Sequence, residues 1–265
     1  MKIRRAPHVW LVAPKRAVEI QHDLARRVVR TGCVRDVSLV AGADLAFMRG
    51  SVRSRGGSKV GDARSDYEWC IAGVVVWDVR TREVVEQHVV RRRVRFPYLP
   101  GLLSFREAPA LLTVLRKLRC EPSVFMFDGQ GLAHPRRCGL ACHVGVVLDR
   151  PSLGCAKSVL VGTCDDPLSS RGSTSPLVHR GERIGMSLRT RANVKPVYVS
   201  VGHRLSLSAA VGITLACSVG YRLPEPVRLA DQLVARRKRR LLGVACPGRS
   251  VDARRSTFAT RGGLL

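Results

Sequence analysis

The sequence predicts an α/β fold in which a mixed β-sheet is flanked by helices. Three observations lead there. An apolar run from Val37 to Phe47 reads as a buried strand. Two further strands, Trp69 to Val79 and Glu83 to Arg92, meet at a short turn around Asp78 to Arg82 and so form a hairpin. After them, strand-like and helix-like segments alternate, which implies a sheet covered by helices.

Taken in order, Pro14 to Arg30 is a helix, with Ala17, Val18, Ile20, Leu24 and Val28 near helical spacing. The first strand carries Gly42-Ala43-Asp44. Residues 49–66 are rich in Gly, Ser and Arg and form a long basic loop. Ile71, Val74, Val75 and Val76 mark the second strand. Phe96 to Gly101 holds two prolines and is a loop. Ala108 to Leu118 is an amphipathic helix with Leu111, Leu112, Leu115 and Leu118 on one stripe. Ser123 to Asp128 is a short strand broken by Gly129-Gln130-Gly131. A helix from His134 to Val147, a strand from Val197 to Val201 and a helix from Ser206 to Val219 complete the set. From about residue 235 the composition changes: nine basic groups face one acid, Asp252, up to residue 265. Residues 1–234 therefore read as one domain and 235–265 as a basic, disordered tail.

Charge narrows the partner. Lys plus Arg number 46 and Asp plus Glu 20, so the net charge is 46 − 20 = +26, with 39 of the cations arginine. Arginine is the fork-shaped donor suited to phosphate, and such an excess points to a polyanion. A chain that is 45% apolar over 265 residues excludes disorder throughout. No run reaches the roughly 18 apolar residues of a membrane span. The basic start is not followed by a long apolar run, so a secretory signal is not expected and the cytoplasm is. Nine scattered cysteines without a C-x-x-C pair read as reduced, mostly buried thiols. There is no P-loop and no nucleophile elbow.

Three acids stand out. Asp44 and Asp128 fall at strand ends and Glu107 at the start of an apolar segment. Carboxylate oxygens suit a hard divalent cation such as Mg²⁺, and such an ion can polarise a phosphodiester and activate water. Acids at two strand ends of a mixed sheet are what a ribonuclease H-like metal nuclease needs. Each acid also has a plain structural reading. Asp44 can end a strand in a turn, Asp128-Gly129 is a common turn dipeptide, and Ser104 to Glu107 spells a capping box. Pro109 argues against that box and for a helix starting near Ala108.

Lys157 can neutralise charge on a phosphate or simply be solvated. His203 follows an apolar strand and can position a water or serve as a loop histidine. His134 makes a weaker claim, and His143 sits in an apolar helical stretch and reads as structural. In Phe96-Pro97-Tyr98-Leu99-Pro100-Gly101, two prolines stiffen a loop with an aromatic tip, the shape of a wedge for a base stack or of a plain connector.

These segments occur in a fixed order: Ala41-Gly42-Ala43-Asp44, Pro97 to Glu107, Asp128 to Arg137, Gly154-Cys155-Ala156-Lys157, Gly202-His203-Arg204 and Gly220-Tyr221-Arg222-Leu223-Pro224-Glu225-Pro226. From about residue 15 to about 234 the chain closely resembles the endonuclease V family, the deoxyinosine 3′-endonucleases. The resemblance implies a ribonuclease H-like fold. It implies cleavage of DNA, double- or single-stranded, at the second phosphodiester bond 3′ to deoxyinosine or another deaminated base. The products expected are 3′-hydroxyl and 5′-phosphate ends, the cofactor Mg²⁺ with Mn²⁺ as substitute, and the protein a monomer. Asp44, Glu107 and Asp128 match the family's metal-site acids, and Lys157 and His203 its further catalytic positions. Tyr98, with Pro97, matches the wedge that fills the gap left by a flipped base. Backbone at Gly101, Leu102, Leu103 and Gly129 is expected to line the base pocket, with Asp231 and His134 nearby. Three departures stand out: the long 49–66 loop, Cys155 where a small aliphatic residue is usual, and the arginine-rich extension.

A DNA-repair nickase is the leading reading. An endoribonuclease for inosine-containing RNA would use the same site and differ in tolerance of the 2′-hydroxyl. A non-catalytic lesion-binding protein would not need three converging acids. A basic structural protein accounts for the charge and leaves the motifs unexplained.

Overall fold

The computed structural model describes residues 1–50 and 67–243. The part of the expected basic loop at 51–66 and the tail from 244 lie outside the described residues. The chain order is α1 (Pro14–Arg27), β1 (Leu39–Gly50), β2 (Tyr67–Asp78), β3 (Glu83–Arg93), α2 (Leu103–Leu115), β4 (Val124–Phe127), α3 (Leu140–Leu148), β5 (Ser152–Ala156), β6 (Thr174–His179), β7 (Glu182–Leu188), β8 (Val197–His203), α4 (Leu207–Ala216) and α5 (Glu225–Leu241).

The eight strands make one mixed sheet in the order β3-β2-β1-β4-β5-β8-β7-β6. β1, β4 and β5 run parallel and the remaining pairings are antiparallel. Helices cover both faces, so the central strands bury alternate residues on opposite sides. Ala41, Phe125 and Phe127 pack with α2 and α3, whereas Val40, Val124 and Met126 pack with α4 and α5. This is why these strands read as continuous apolar runs rather than alternating ones. The mixed, helix-flanked sheet expected from the sequence is present.

Four expectations need correction. The helix placed at Ala108 begins at Leu103 and runs through Pro109. Phe105, Leu111, Leu112 and Leu115 are buried, and that packing outweighs one missing N–H. The capping box does not form: Leu102 is the N-cap without a side-chain bond, and Ser104 instead meets the His143 ring at 2.9 Å. The helix placed at His134 begins only at Leu140. Before it the chain turns through Arg137, whose φ is 56°, and Gly139 N–H bonds Gly131 O at 2.9 Å. Finally, the run Arg236 to Arg240, assigned to the disordered tail, forms the end of α5. Of the eight described cysteines, all free, Cys70, Cys138, Cys142, Cys155 and Cys217 are buried. No helix among the described residues is long and apolar enough to cross a membrane.

Candidate active site

The parallel pairing of β1 with β4 aligns Ala43 with Phe127. Asp44, expected at a strand end, instead lies in the middle of β1, where pairing with β2 continues to Gly50, and Asp128 directly follows β4; the two are side by side, and Asp128 N–H bonds Ala43 O at 3.4 Å. β5 continues the parallel set, with Phe127 opposite Gly154, so Lys157 leaves the same end of the sheet. Lys157 Nζ stands 2.6 Å from Asp128 Oδ2. Arg222 fixes the backbone there by donating to Lys157 O at 2.7 Å.

Glu107 comes from α2 and is only 9% exposed. Burial, then the charges of Asp44 and Asp128, push its carboxyl up to about 8. Burial, then the charge of Asp128, push Asp44 up to about 7, and Asp231 adds to this. Burial would lower Lys157, but the Asp128 contact and the charges of Asp231 and Asp44 hold it above its ordinary value.

Asp231 reaches the cluster because α5 lies close on β1 and β2. A Cβ on Gly42 would overlap the Pro226 backbone, so only glycine admits the helix at that distance. The site thus holds four acids and one lysine.

The oxygen donors match the preference of a hard divalent cation, and the shortage of positive charge around buried carboxyls gives such a cation a reason to bind. As they stand, no three His, Cys, Asp or Glu side chains among the described residues form a ready ligand shell. The acids feel one another through their charges, and Lys157 sits against Asp128. The fit is one of chemistry and placement rather than of a closed cage.

Beside Glu107 opens a cleft of about 620 Å³ lined by Phe47, Glu68, Pro97, Tyr98, Leu103 and Arg106. Phe96 anchors the loop that forms one wall: it is buried and packs on Phe105 with ring centroids 5.4 Å apart. At the loop's tip Tyr98 is 68% exposed. Gly101 closes the loop with φ of 77°, a conformation that favours glycine. Its carbonyl oxygen accepts from Gln21 at 3.0 Å, His134 at 3.1 Å and Arg136 at 2.6 Å. His134 Nδ1 accepts from Arg136 N–H, leaving its proton on Nε2 toward Gly101. Burial, then Arg136, push His134 down to about 4, so it stays neutral. His134 is therefore a support for the loop, and Gln21 and Arg136 are partners that the sequence reading did not single out. Leu102 is buried at the foot of the loop and Leu103 faces the cleft. Gly129 directly follows Asp128 at the end of β4.

His203 is not part of this constellation. β8 runs antiparallel to β5, pairing Tyr198 with Ala156 and His203 with Ser152. Five residues of strand, roughly 15 Å, therefore separate His203 from the end that carries Lys157. Its Nδ1 accepts from Val29 N–H at 3.2 Å, and Nε2 faces Asp149 Oδ1 at 3.3 Å. Burial lowers its pKa despite Asp149. His203 ties the exit of α1 to β8, and Asp231 is the further acid whose charge reaches Asp44.

Comparison with known proteins places the chain among one family. The family model for Endonuclease V matches residues 22–232. The Endonuclease V of Roseiflexus castenholzii is 45% identical over 230 residues, covering 87% of this chain and 96% of its own. A crystal structure of the Endonuclease V from Streptomyces avermitilis is similar at TM-score 0.77 and 37% identity, covering 91% of this chain and all of that one. Ciona intestinalis Endonuclease V, solved with a DNA containing an inosine followed by a ribo-adenosine, shares the fold at TM-score 0.67 and 24% identity, over 84% of this chain and 96% of its own. The sheet is thus the ribonuclease H-like one shared by these structures.

Proposed function

The chain belongs to the endonuclease V family of nucleases, and from that premise we propose that it nicks DNA at the second phosphodiester bond 3′ to deoxyinosine and related deaminated bases. The observation that carries this reading is the meeting of Asp44, Glu107 and Asp128 with Lys157 at one end of the sheet, beside the Tyr98 loop. The cofactor is Mg²⁺, replaceable by Mn²⁺, held by Asp44, Asp128 and Glu107.

When bound, that ion supplies Lewis acidity toward the scissile phosphate and lowers the pKa of water. The chain's own groups do the rest. Asp44, Asp128 and Glu107, ionised, orient their oxygens toward the reacting end of the strand. Asp231 adds negative potential behind Asp44. Lys157 holds its proton and offers positive charge to a phosphate oxygen, exchanging its Asp128 partner for it. The exposed Tyr98 ring fills the gap in the stack when a base leaves it. Backbone amides and carbonyls at Gly101 to Leu103 and Gly129 read the hypoxanthine edge, which differs from adenine by a carbonyl oxygen and a ring N–H. An inosine pair is weak, so flipping it costs less than flipping a matched base. The products carry 3′-hydroxyl and 5′-phosphate ends.

A second reading is inosine-containing RNA as the substrate. The ribo-adenosine after the inosine in the nucleic acid bound by the Ciona protein favours keeping it. One experiment tests both readings. End-labelled strands holding a single deoxyinosine or a single inosine are incubated with Mg²⁺ or EDTA, and the cut is mapped. The proposal expects a Mg²⁺-dependent cut between the lesion's 3′ neighbour and the following nucleotide, faster on the deoxyribose strand. Faster cleavage of the ribose strand moves the function to RNA, and lesion binding without cleavage of either leaves a binding protein.

A further inference from the structure

A second cavity lies at the base of the wedge loop, where Phe96 lines it. It measures about 590 Å³ and is lined by Arg5, Arg92, Arg93, Arg95, Arg106 and Arg116. No Asp or Glu lines it among the described residues. Arg5, Arg92, Arg93, Arg95 and Arg116 are exposed. Arg92 donates to Pro109 O and Thr113 Oγ1, which fixes one edge. Arg106 pairs with Glu68 and donates to Phe96 O at 3.1 Å. Among the described residues Arg5, Arg95 and Arg116 have no carboxylate in an ion pair. Val9 and Leu11, 63% and 64% exposed, and the Trp10 ring form the opposite lip.

Arg106 and Arg92 are held by folding contacts, whereas Arg5, Arg95 and Arg116 add three more guanidinium charges to the same cavity with no ion pair among the described residues to gather them. A chain of phosphates balances those charges and matches the fork geometry of arginine. The cavity adjoins the site: Arg106 lines both it and the cleft beside Glu107, and Phe96 begins the loop that carries Tyr98. We infer that this arginine groove is a second nucleic-acid contact, a track for the backbone of the strand flanking the reacting nucleotide, at the base of the wedge loop. It rests on the reading of the partner as nucleic acid. It adds a sequence-independent and lesion-independent grip that positions the duplex before any base is flipped.

The test measures binding of the whole chain to an undamaged duplex by fluorescence anisotropy across a salt series. The variant is Arg5→Gln/Arg95→Gln/Arg116→Gln. A control removes the same charge from exposed turns elsewhere, Arg80→Gln/Arg82→Gln/Arg180→Gln, and unchanged thermal melting shows that both fold. Each phosphate contact contributes about 0.9 to the slope of log K against log salt. The groove variant is expected to lose about 2 to 3 units of slope, and the control less than 1. Equal losses in the two variants, an unchanged slope in the groove variant, or no salt-dependent duplex binding by the parent would overturn the inference. Nicking of deoxyinosine by the parent is scored separately. Nicking with an unchanged groove slope sinks this inference alone, and a lost groove slope without nicking sinks the proposed activity alone.

Discussion

Lys157 Nζ stands 2.6 Å from Asp128 Oδ2, at the shared end of β5 and β4. The pair balances only one of the acids gathered there, so Asp44 and Glu107 ionise fully only when a further cation arrives or the pH rises past about 8. Replacing Lys157 by Met removes the cation paired with Asp128. Single-turnover nicking is expected to fall about 10²- to 10³-fold, while binding of deoxyinosine duplex changes by less than about tenfold. Parallel anisotropy and gel assays check this split.

The raised acids make the metal-free protein less stable at high pH. The sign follows from the protons. An unfolded chain releases them near the ordinary values of 3.8 and 4.5, whereas the folded chain holds them until about 7 for Asp44 and about 8 for Glu107. The folded state binds more protons in that window, so stability falls as pH rises through it. Asp44→Asn and Glu107→Gln are therefore expected to melt several degrees higher than the parent in EDTA at pH 8.5. The gain shrinks toward zero near pH 4, and Mg²⁺ narrows it by stabilising the parent alone. Scanning calorimetry across pH is the check. A parent that melts as high as its variants at pH 8.5 in EDTA would contradict the burial argument.

Tyr98 is exposed and makes no core contact that a truncation would expose, so its loss is a functional event rather than a folding one. Stacking against a base contributes about 1–3 kcal/mol. Tyr98→Ala is expected to lower kcat/KM for a deoxyinosine duplex by about 5- to 100-fold with an unchanged Tm, and Tyr98→Phe to restore most of it.

His203 gives the opposite pattern. His203→Ala leaves Val29 N–H without its 3.2 Å acceptor and Asp149 without a partner ring. A loss of about 1–3 kcal/mol and a Tm lower by several degrees are expected. Nicking by the folded fraction stays within a few-fold of the parent. Asp231→Ala is expected to reverse this, with slow nicking and a Tm at or above the parent's.

These two residues show what was legible in the sequence and what was not. Asp44 and Asp128 could be read from the sequence because apolar runs deliver them and Gly129 punctuates the second. The Tyr98 loop stood out through its prolines, whereas Lys157 gained its role only from the family resemblance, because β5, with Gly154 and Cys155 in only five residues, did not read as a strand. The β6–β7 hairpin was missed because its strands alternate with polar residues around an Arg180-Gly181 turn in which both φ are positive. Strand direction is set by the sheet rather than by any local pattern. A histidine ending an apolar strand looks catalytic until β8 proves antiparallel to β5 and carries it to the wrong end. Asp231 was undervalued for the converse reason. Its segment reads as the end of the domain with no helix assigned, and only the close seat of α5 over Gly42 brings it to Asp44.

The most direct test is single-turnover nicking of a deoxyinosine duplex by the parent and by Asp44→Asn, each in Mg²⁺ and in EDTA, with lesion binding measured beside it. The acid cluster described above requires nicking by the parent in Mg²⁺ alone, a loss of at least about 10³-fold in Asp44→Asn, and lesion binding within tenfold in both proteins. Nicking by the parent in EDTA, or full activity in Asp44→Asn, would contradict it.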